Sequence, residues 1–306
     1  MTATSRRRFL IQSSRLGAAA LTPAWGWRRA FANPLGKPIG IQLYTVNLPM
    51  QEDPAGTLKK LKDIGFGQVE TAGFGKLDAK QFRRRLDDSG LACPSAHLRF
   101  DVNNLGPTFE DAHALGVTYA ASGSLPAPSV DGKPATASTK RSMSLDEAKH
   151  TAALVNRIGD AAKRAGLQYV YHNHDFEFTD QGGGAVGYDV LLRESDPELV
   201  KFEIDCGWMI FAGHDPIDYF KKYPNRFPMI HVKDFLPAHD KAAGLAQGAP
   251  MLGAELGHGV IDYKPIFAAA GKAGLQHYFL EQEGPFSRMD QLQAARVDYE
   301  YLHSMD

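Results

Sequence analysis

One unit recurs along this chain and constrains its fold more than any other feature. A helical stretch ends in glycine, and a short apolar run follows at once. Leu58–Gly65 leads into Phe66–Glu70, Phe82–Gly90 into Leu91–His97, and Asp111–Gly116 into Val117–Ala121. A long helical segment from about Leu145 to Ala165 ends at Gly166 before Leu167–His172, and Ile266–Gly274 leads into Leu275–Glu281. Glycine ends a helix cheaply because it adopts the left-handed conformation without a Cβ clash. An apolar run after such a stop reads as a strand covered on both faces.

Eight strands emerge: Ile39–Tyr44, Gln68–Thr71, Cys93–His97, Val117–Ala121, Gln168–His172, Val200–Asp205, Phe227–Val232 and Tyr278–Glu281. Eight alternating strand–helix units over about 265 residues predict an α/β fold, a single-domain (β/α)8 TIM barrel. A doubly wound open sheet is the alternative, but no G-x-G-x-x-G follows the first strand, so a dinucleotide site is not supported. The 306 residues suffice for one large barrel. No apolar run reaches the roughly 18 residues of a membrane helix.

The first 32 residues read as an address. Ser5-Arg6-Arg7-Arg8-Phe9-Leu10 is a twin-arginine pattern, a mildly apolar run Leu16–Trp27 follows, and Ala30-Phe31-Ala32 is an A-x-A cleavage site. The expectation is a signal peptide over 1–32, a barrel domain over 33–306, and export to the periplasm. That segment holds six arginines and no acid, so 28 basic residues remain against 35 acidic ones, a net charge near −7. An acidic body argues against a nucleic-acid partner.

The densest chemistry lies in Leu167–Phe178, LQYVYHNHDFEF. An apolar strand turns abruptly polar, with His172, His174, Asp175 and Glu177 within six residues. Such groups at the end of a buried strand are costly to desolvate unless they bind something. A barrel builds its site at strand C-termini, and the other ends repeat the pattern: Gln42 and Tyr44, Glu70, His97, Glu203 and Asp205, His231 with Lys233 and Asp234, then Glu281 and Glu283. Asp205, His231 and Glu281 with one group from strand five make a mixed carboxylate–imidazole set. That set suits one divalent metal, Mn²⁺, Co²⁺, Mg²⁺ or Zn²⁺, with no thiolate to select zinc. Two long loops, Ser122–Ser142 and Phe235–Gly259, follow strands four and seven and are candidate lids.

Several stretches together resemble the xylose isomerase-like TIM barrel superfamily, in its sugar phosphate isomerase/epimerase (AP endonuclease family 2-like) branch. They are IGIQLYTV at 39–46, GFGQVETAGFG at 65–75, YHNHDFEF at 171–178, EIDCGWMIFAGHDP at 203–216, HVKD at 231–234, GHGVIDYKPIF at 257–267 and FLEQE at 279–283. The resemblance implies one divalent metal, often manganese, held by Asp205, His231, Glu281 and a group from strand five. Many similar proteins carry Glu at the end of strand five. This chain has His172 in that register and Glu177 five residues on, and both stand as candidates.

The resemblance also implies proton abstraction beside a carbonyl. Glu281 is the first candidate base, Glu70, His97 or His174 the partner, and Lys233 a group to steady an oxyanion. Trp208 stands where many similar proteins carry His. An exported member is expected to act on a free small-molecule sugar or keto-sugar as an isomerase or epimerase. The alternative is a lyase or dehydratase, inosose dehydratase-like or 3-keto-glycoside cleaving. A sugar-binding barrel without catalysis and an endonuclease-IV-like repair enzyme are weaker readings, the latter opposed by the acidic charge. Self-association is left open.

Overall fold

The helix–glycine–strand units fold as the pattern predicts. The computed structural model describes residues 33, 35–123, 125, 142–236, 252–286 and 288–305. Residues 1–32, where a signal peptide is expected, and the interiors of both long loops lie outside the described residues. The barrel strands are β1 (Gly40–Gln42), β2 (Gln68–Ala72), β3 (Ala92–His97), β4 (Tyr119–Ser122), β5 (Gln168–His172), β6 (Val200–Asp205), β7 (Met229–Val232) and β10 (His277–Leu280). They close in chain order, β10 pairing with β1, and every neighbouring pair is parallel. The chain is a single (β/α)8 TIM barrel. A short antiparallel pair, β8 (Asp234–Phe235) with β9 (Gly253–Ala254), joins the two ends of the long loop after β7.

Local chemistry accounts for the boundaries. Gly90 and Gly116 cap their helices in the left-handed conformation. Asp78 and Ser144 start theirs with capping boxes to Gln81 and Glu147. The helix Leu145–Arg164 buries Ala148, Thr151, Ala152, Val155, Ile158, Gly159 and Ala162, one face at helical spacing.

Three strands are shorter than the apolar pattern suggests. β1 stops at Gln42 because its side chain accepts a hydrogen bond from Tyr44 N, turning Leu43–Val46 into a 3-10 helix. β4 begins at Tyr119, not Val117, whose N–H goes instead to Ala112 O behind the helix end. β7 begins after Pro228, which has no N–H to give to a ladder.

The barrel interior has an apolar plug below a polar layer. Ala121, Val170, Met229 and Phe279 are fully buried and form a cluster separate from the main core. Val170, Met229 and Phe279 each lie two residues before a polar group: His172, His231 and Glu281. Strand alternation keeps i and i+2 on one face, so each pair shares the inward face of its strand. The same rule places Glu203 under Asp205 on β6. There a carboxylate stands in register with Met229 on β7 and His172 on β5.

Candidate metal centre

The strand ends converge as two layers of titratable groups. In the upper layer, nearer the mouth, His172, Asp205, His231 and Glu281 each offer an atom within 4.8 Å of the others. His231 Nδ1 lies 3.0 Å from Glu281 Oε2 and 3.8 Å from Asp205 Oδ2. His172 Nε2 lies 3.9 Å from Asp205 Oδ2. Asp205 divides its two oxygens. Oδ1 caps the following helix by accepting from Trp208 N at 2.9 Å, and Oδ2 faces the cluster.

The lower layer holds two fully buried carboxylates. Glu70 Oε2 accepts from Gln42 Nε2 at 2.8 Å and lies 2.8 Å from His231 Nε2. Its other oxygen accepts from Ser95 Oγ. Glu203 Oε2 lies 2.9 Å from His97 Nε2, 3.2 Å from His172 Nδ1 and 3.3 Å from His231 Nε2. These groups form a second, overlapping set of four donor atoms: His97, His172, Glu203 and His231.

Lys233 ties the mouth together. Its Nζ lies 2.7 Å from Asp205 Oδ2, 2.7 Å from Glu281 Oε2 and 2.9 Å from Glu283 Oε1. It also sits 5.0 Å from the centre of the Trp208 ring, and Trp208 Nε1 donates to Glu283 Oε1 at 3.0 Å.

Charge and burial set the protonation states. Burial opposes the Lys233 ammonium, but Asp205 and Glu281 hold it well above the ordinary lysine range. Burial likewise opposes ionisation of Glu281, yet Lys233 and His231 keep its carboxyl well below the usual value. Asp205 is pushed up to about 6 by burial against the pull of Lys233. His172 is pushed down to about 3 by burial and by His231. His97 goes the other way, to about 10, because Glu70 and Glu203 outweigh its burial.

The residues fit a divalent ion. The upper set mixes two carboxylates and two imidazoles, donors that suit a borderline or hard divalent cation. Across the two layers, three buried polar atoms lack a well-directed hydrogen bond: Asp205 Oδ2, Glu203 Oε1 and His172 Nδ1. Asp205 Oδ2 is close to Lys233 Nζ, but as an ion contact without hydrogen-bond alignment. Five buried or half-buried carboxylates, Glu70, Glu203, Asp205, Glu281 and Glu283, face one lysine and three imidazoles, so positive charge is in short supply.

The structure separates the two candidates from strand five. His172 belongs to both donor sets. Glu177 belongs to neither and is occupied elsewhere: its oxygens accept from Tyr171 Oη at 2.9 Å and His174 N at 3.0 Å. Burial pushes its carboxyl up to about 8. His174 stands beside the cluster, edge-on to His172 at 5.1 Å between ring centres, and burial pushes it down to about 2. Glu281, His97, Glu70 and Lys233 all come together in the two layers.

Sequence reasoning noted Glu203 and Glu283 only as strand-end residues and gave them no role. The i, i+2 spacing of Glu203 to Asp205, and of Glu283 to Glu281, was the available signal.

A barrel with a carboxylate–imidazole centre at its strand ends defines the class. The profile of the xylose isomerase-like TIM barrel family matches residues 58–304, and the chain belongs to that family. Among curated proteins, an inosose dehydratase from Geobacillus thermodenitrificans is 31% identical over 135 residues, 41% of this chain and 43% of that protein. The match therefore spans less than half of that protein's length. Among solved structures, a sugar phosphate isomerase/epimerase from Parabacteroides distasonis superposes with a TM-score of 0.69 at 24% identity, covering 88% of this chain and 94% of that one. An L-ribulose 3-epimerase superposes with a TM-score of 0.61 at 16% identity, over 87% and 93% of the two chains. Both structural likenesses speak to the fold.

Proposed function

We propose that the chain is a divalent-metal-dependent enzyme that removes a proton beside the carbonyl of an uncharged sugar or keto-sugar, isomerising or epimerising it. The observation that carries this reading is the convergence of His172, Asp205, His231 and Glu281 within 4.8 Å, with Lys233 against two of them. A divalent ion held by those four residues, Mn²⁺ first and Zn²⁺, Co²⁺ or Mg²⁺ as alternatives, would supply Lewis-acid polarisation of the substrate carbonyl.

The chain's own groups divide the remaining work. Glu281 is kept ionised by Lys233 and His231, the state a base needs. His97 is kept protonated by Glu70 and Glu203, the state a group returning a proton needs. Lys233 fixes the position of Glu281 and steadies negative charge developing on substrate oxygen. Trp208, held by Glu283, offers an indole face to a sugar ring.

The electrostatics favour a substrate without phosphate. Within the donor cluster, among the described residues, Lys233 is the one cation that is not an imidazole, and three carboxylates already share it. The twin-arginine segment supports the same reading, since an exported enzyme would meet free sugars.

A second reading, dehydration of a keto-sugar or inosose, is favoured by the curated inosose dehydratases that the chain resembles. It uses the same first proton removal and then expels a β-hydroxyl. One experiment tests both. The mature protein, loaded with Mn²⁺, is incubated in D₂O with free ketoses, 3-keto-glycosides and inososes, and followed by NMR. Deuterium uptake beside the carbonyl with a change of configuration or carbonyl position supports the isomerase. Loss of water supports the dehydratase. No exchange into any of these substrates would sink the proton-abstraction reading.

A further inference from the structure

Glu283 differs from the other carboxylates at the strand ends in standing half in solvent. Its side chain is 34% exposed, against 10% for Glu281 and 0% for Asp205. Lys233 does not need it for charge balance, since Nζ already lies 2.7 Å from both Asp205 Oδ2 and Glu281 Oε2. The two oxygens of Glu283 are used unequally. Oε1 accepts from Lys233 Nζ at 2.9 Å and from Trp208 Nε1 at 3.0 Å. Oε2 has no hydrogen-bond partner among the described residues.

This carboxylate is held in place from two sides. A Cβ at Gly253 would strike the carbonyl oxygen of Glu283, so β9 backs the main chain there at close approach. The two bonds at Oε1 fix the side chain. A charged oxygen held still without a protein donor is an acceptor for a group that enters from solvent.

The surroundings say what enters. Phe211 and Phe235 pack against Trp208 at 5.5 and 5.4 Å between ring centres, and the indole stays half-buried. An aromatic plane beside a carboxylate suits a ring with C–H faces and hydroxyl edges. Glu281 and Glu283 bond the same Nζ, so the free acceptor stands one ammonium away from the candidate base. A ring that presents the carbon beside its carbonyl to Glu281 brings a hydroxyl from further round the ring to Glu283.

We propose that Glu283 is a specificity-determining residue: its Oε2 accepts from a hydroxyl of a cyclic sugar or cyclitol ketone lying against Trp208. The proposal rests on the sugar reading above and adds the point at which the substrate is chosen. A ring lacking that hydroxyl leaves the acceptor desolvated without a donor, and a ring carrying an anionic group there meets a like charge.

Trp208 reports on the site directly. The chain's tryptophans are Trp25, Trp27 and Trp208, so the protein from Asn33 onward, which holds every barrel strand, has this one indole. That protein, loaded with Mn²⁺, is titrated by fluorescence with inososes, cyclic ketoses and 3-keto-glycosides. The sugar giving the largest saturable change is then compared with its monodeoxy analogues. In the wild type, one deoxy analogue is expected to bind roughly tenfold more weakly than the parent, and Glu283→Gln to weaken the parent by a similar factor. The two losses should not add when that analogue meets Glu283→Gln, because they remove one interaction. Glu283→Asp keeps the charge opposite Lys233 and withdraws the oxygen by one methylene. It should show the same loss of preference in smaller degree, and it serves if Glu283→Gln does not fold. A merely structural role would weaken the parent and every analogue alike in the variants, with the wild-type preference intact, and that result would overturn the proposal. Parent affinity within about twofold of wild type in both variants would also overturn it, leaving the sugar reading standing. Sugar binding with the expected preference but no proton exchange in D₂O would uphold the proposal and overturn the reaction. No saturable change with any of these sugars would overturn both.

Discussion

Gly207 makes room for Lys233: a methyl at Gly207 would strike Cγ of Lys233 and come 2.9 Å from Cδ and 3.0 Å from the ring edge of Phe235. The aliphatic stem of Lys233 crosses the first turn of the helix Cys206–Phe211 there, and the ammonium reaches Asp205 and Glu281 beyond it. The glycine of the D-x-G motif thus serves the lysine of the H-V-K-D motif, two strands' ends meeting over one missing side chain. Lys233→Met is expected to cost about 3–5 kcal/mol in urea unfolding of the metal-free protein, because two buried carboxylates lose their counter-charge. Gly207→Ala should cost less, about 1–3 kcal/mol, as overpacking does. An unchanged unfolding midpoint in Lys233→Met would show that the lysine is not the cation balancing this site.

Asp205 predicts a separation of two functions in one side chain. Its Oδ1 caps a helix and its Oδ2 faces the cluster. Asp205→Asn keeps an oxygen for the cap and loses the charge. It should retain nearly wild-type stability while metal content, read by elemental analysis after dialysis, falls to background. Asp205→Ala should lose the metal and also about 1 kcal/mol of stability through the missing cap. If Asp205→Asn still holds a full equivalent, the carboxylate is not a ligand.

Much of this arrangement was legible before any coordinates. Glycine stops before apolar runs marked five of the helix–strand junctions, and β5 and β6 begin and end where the pattern put them. The strand-end rule brought Glu70, His97, His172, Asp205, His231, Lys233 and Glu281 to one place. Depth was harder to read. Whether a carboxylate at a strand end lies in the upper or the lower layer depends on the stagger of the barrel, and that is set by pairings such as Asp205 with His231 and Glu203 with Met229. The competition between His172 and Glu177 turned on a short 3-10 helix, Phe176–Phe178, which folds Glu177 back onto Tyr171. No periodicity announces such a turn. The β8–β9 pair was equally invisible, since two residues on each side are too few to show alternation.

Glu177 carries a pH prediction with a definite sign. Burial raises its folded-state pKa from the usual 4.5 to about 8. Between those values the folded protein keeps a proton that the unfolded chain has released. Its contribution to stability is therefore fully present below pH 4.5 and is lost as pH rises toward 8, at no more than about 1.4 kcal/mol per pH unit. The neutral carboxyl can donate to Tyr171 Oη while accepting from His174 N, and a glutamine can do the same with its amide. Glu177→Gln should thus be more stable than wild type at pH 8.5, with the difference shrinking toward pH 5, in urea unfolding at each pH. It should also keep its metal, since Glu177 lies outside both donor sets. A difference that grows toward low pH would contradict the assignment.

Asp234 yields the last prediction, and it concerns the loop that borders the site after β7. Its carboxylate gathers five backbone N–H groups. Oδ1 accepts from Phe235, Val260 and Ile261 at 2.9, 2.8 and 3.0 Å, and Oδ2 accepts from Gly257 and Gly259 at 3.1 and 3.0 Å. A chain reversal built on so many donors aimed at one point needs an acceptor with charge and two oxygens, and Gly259 lets the backbone approach: a Cβ there would strike Oδ1. Asp234→Asn leaves one oxygen for one group of donors and turns an NH₂ onto the other. At least two N–H groups then lose their partner, at about 1–3 kcal/mol each. The expected result is a loss on the order of 3 kcal/mol in urea unfolding, together with faster amide exchange at Gly257–Ile261. Because Lys233 is the next residue back along the chain, the same change should disturb its ammonium and lower kcat in any reaction the site performs. If Asp234→Asn leaves amide exchange at Gly257, Gly259 and Val260 at the wild-type rate, the carboxylate is not what holds this loop.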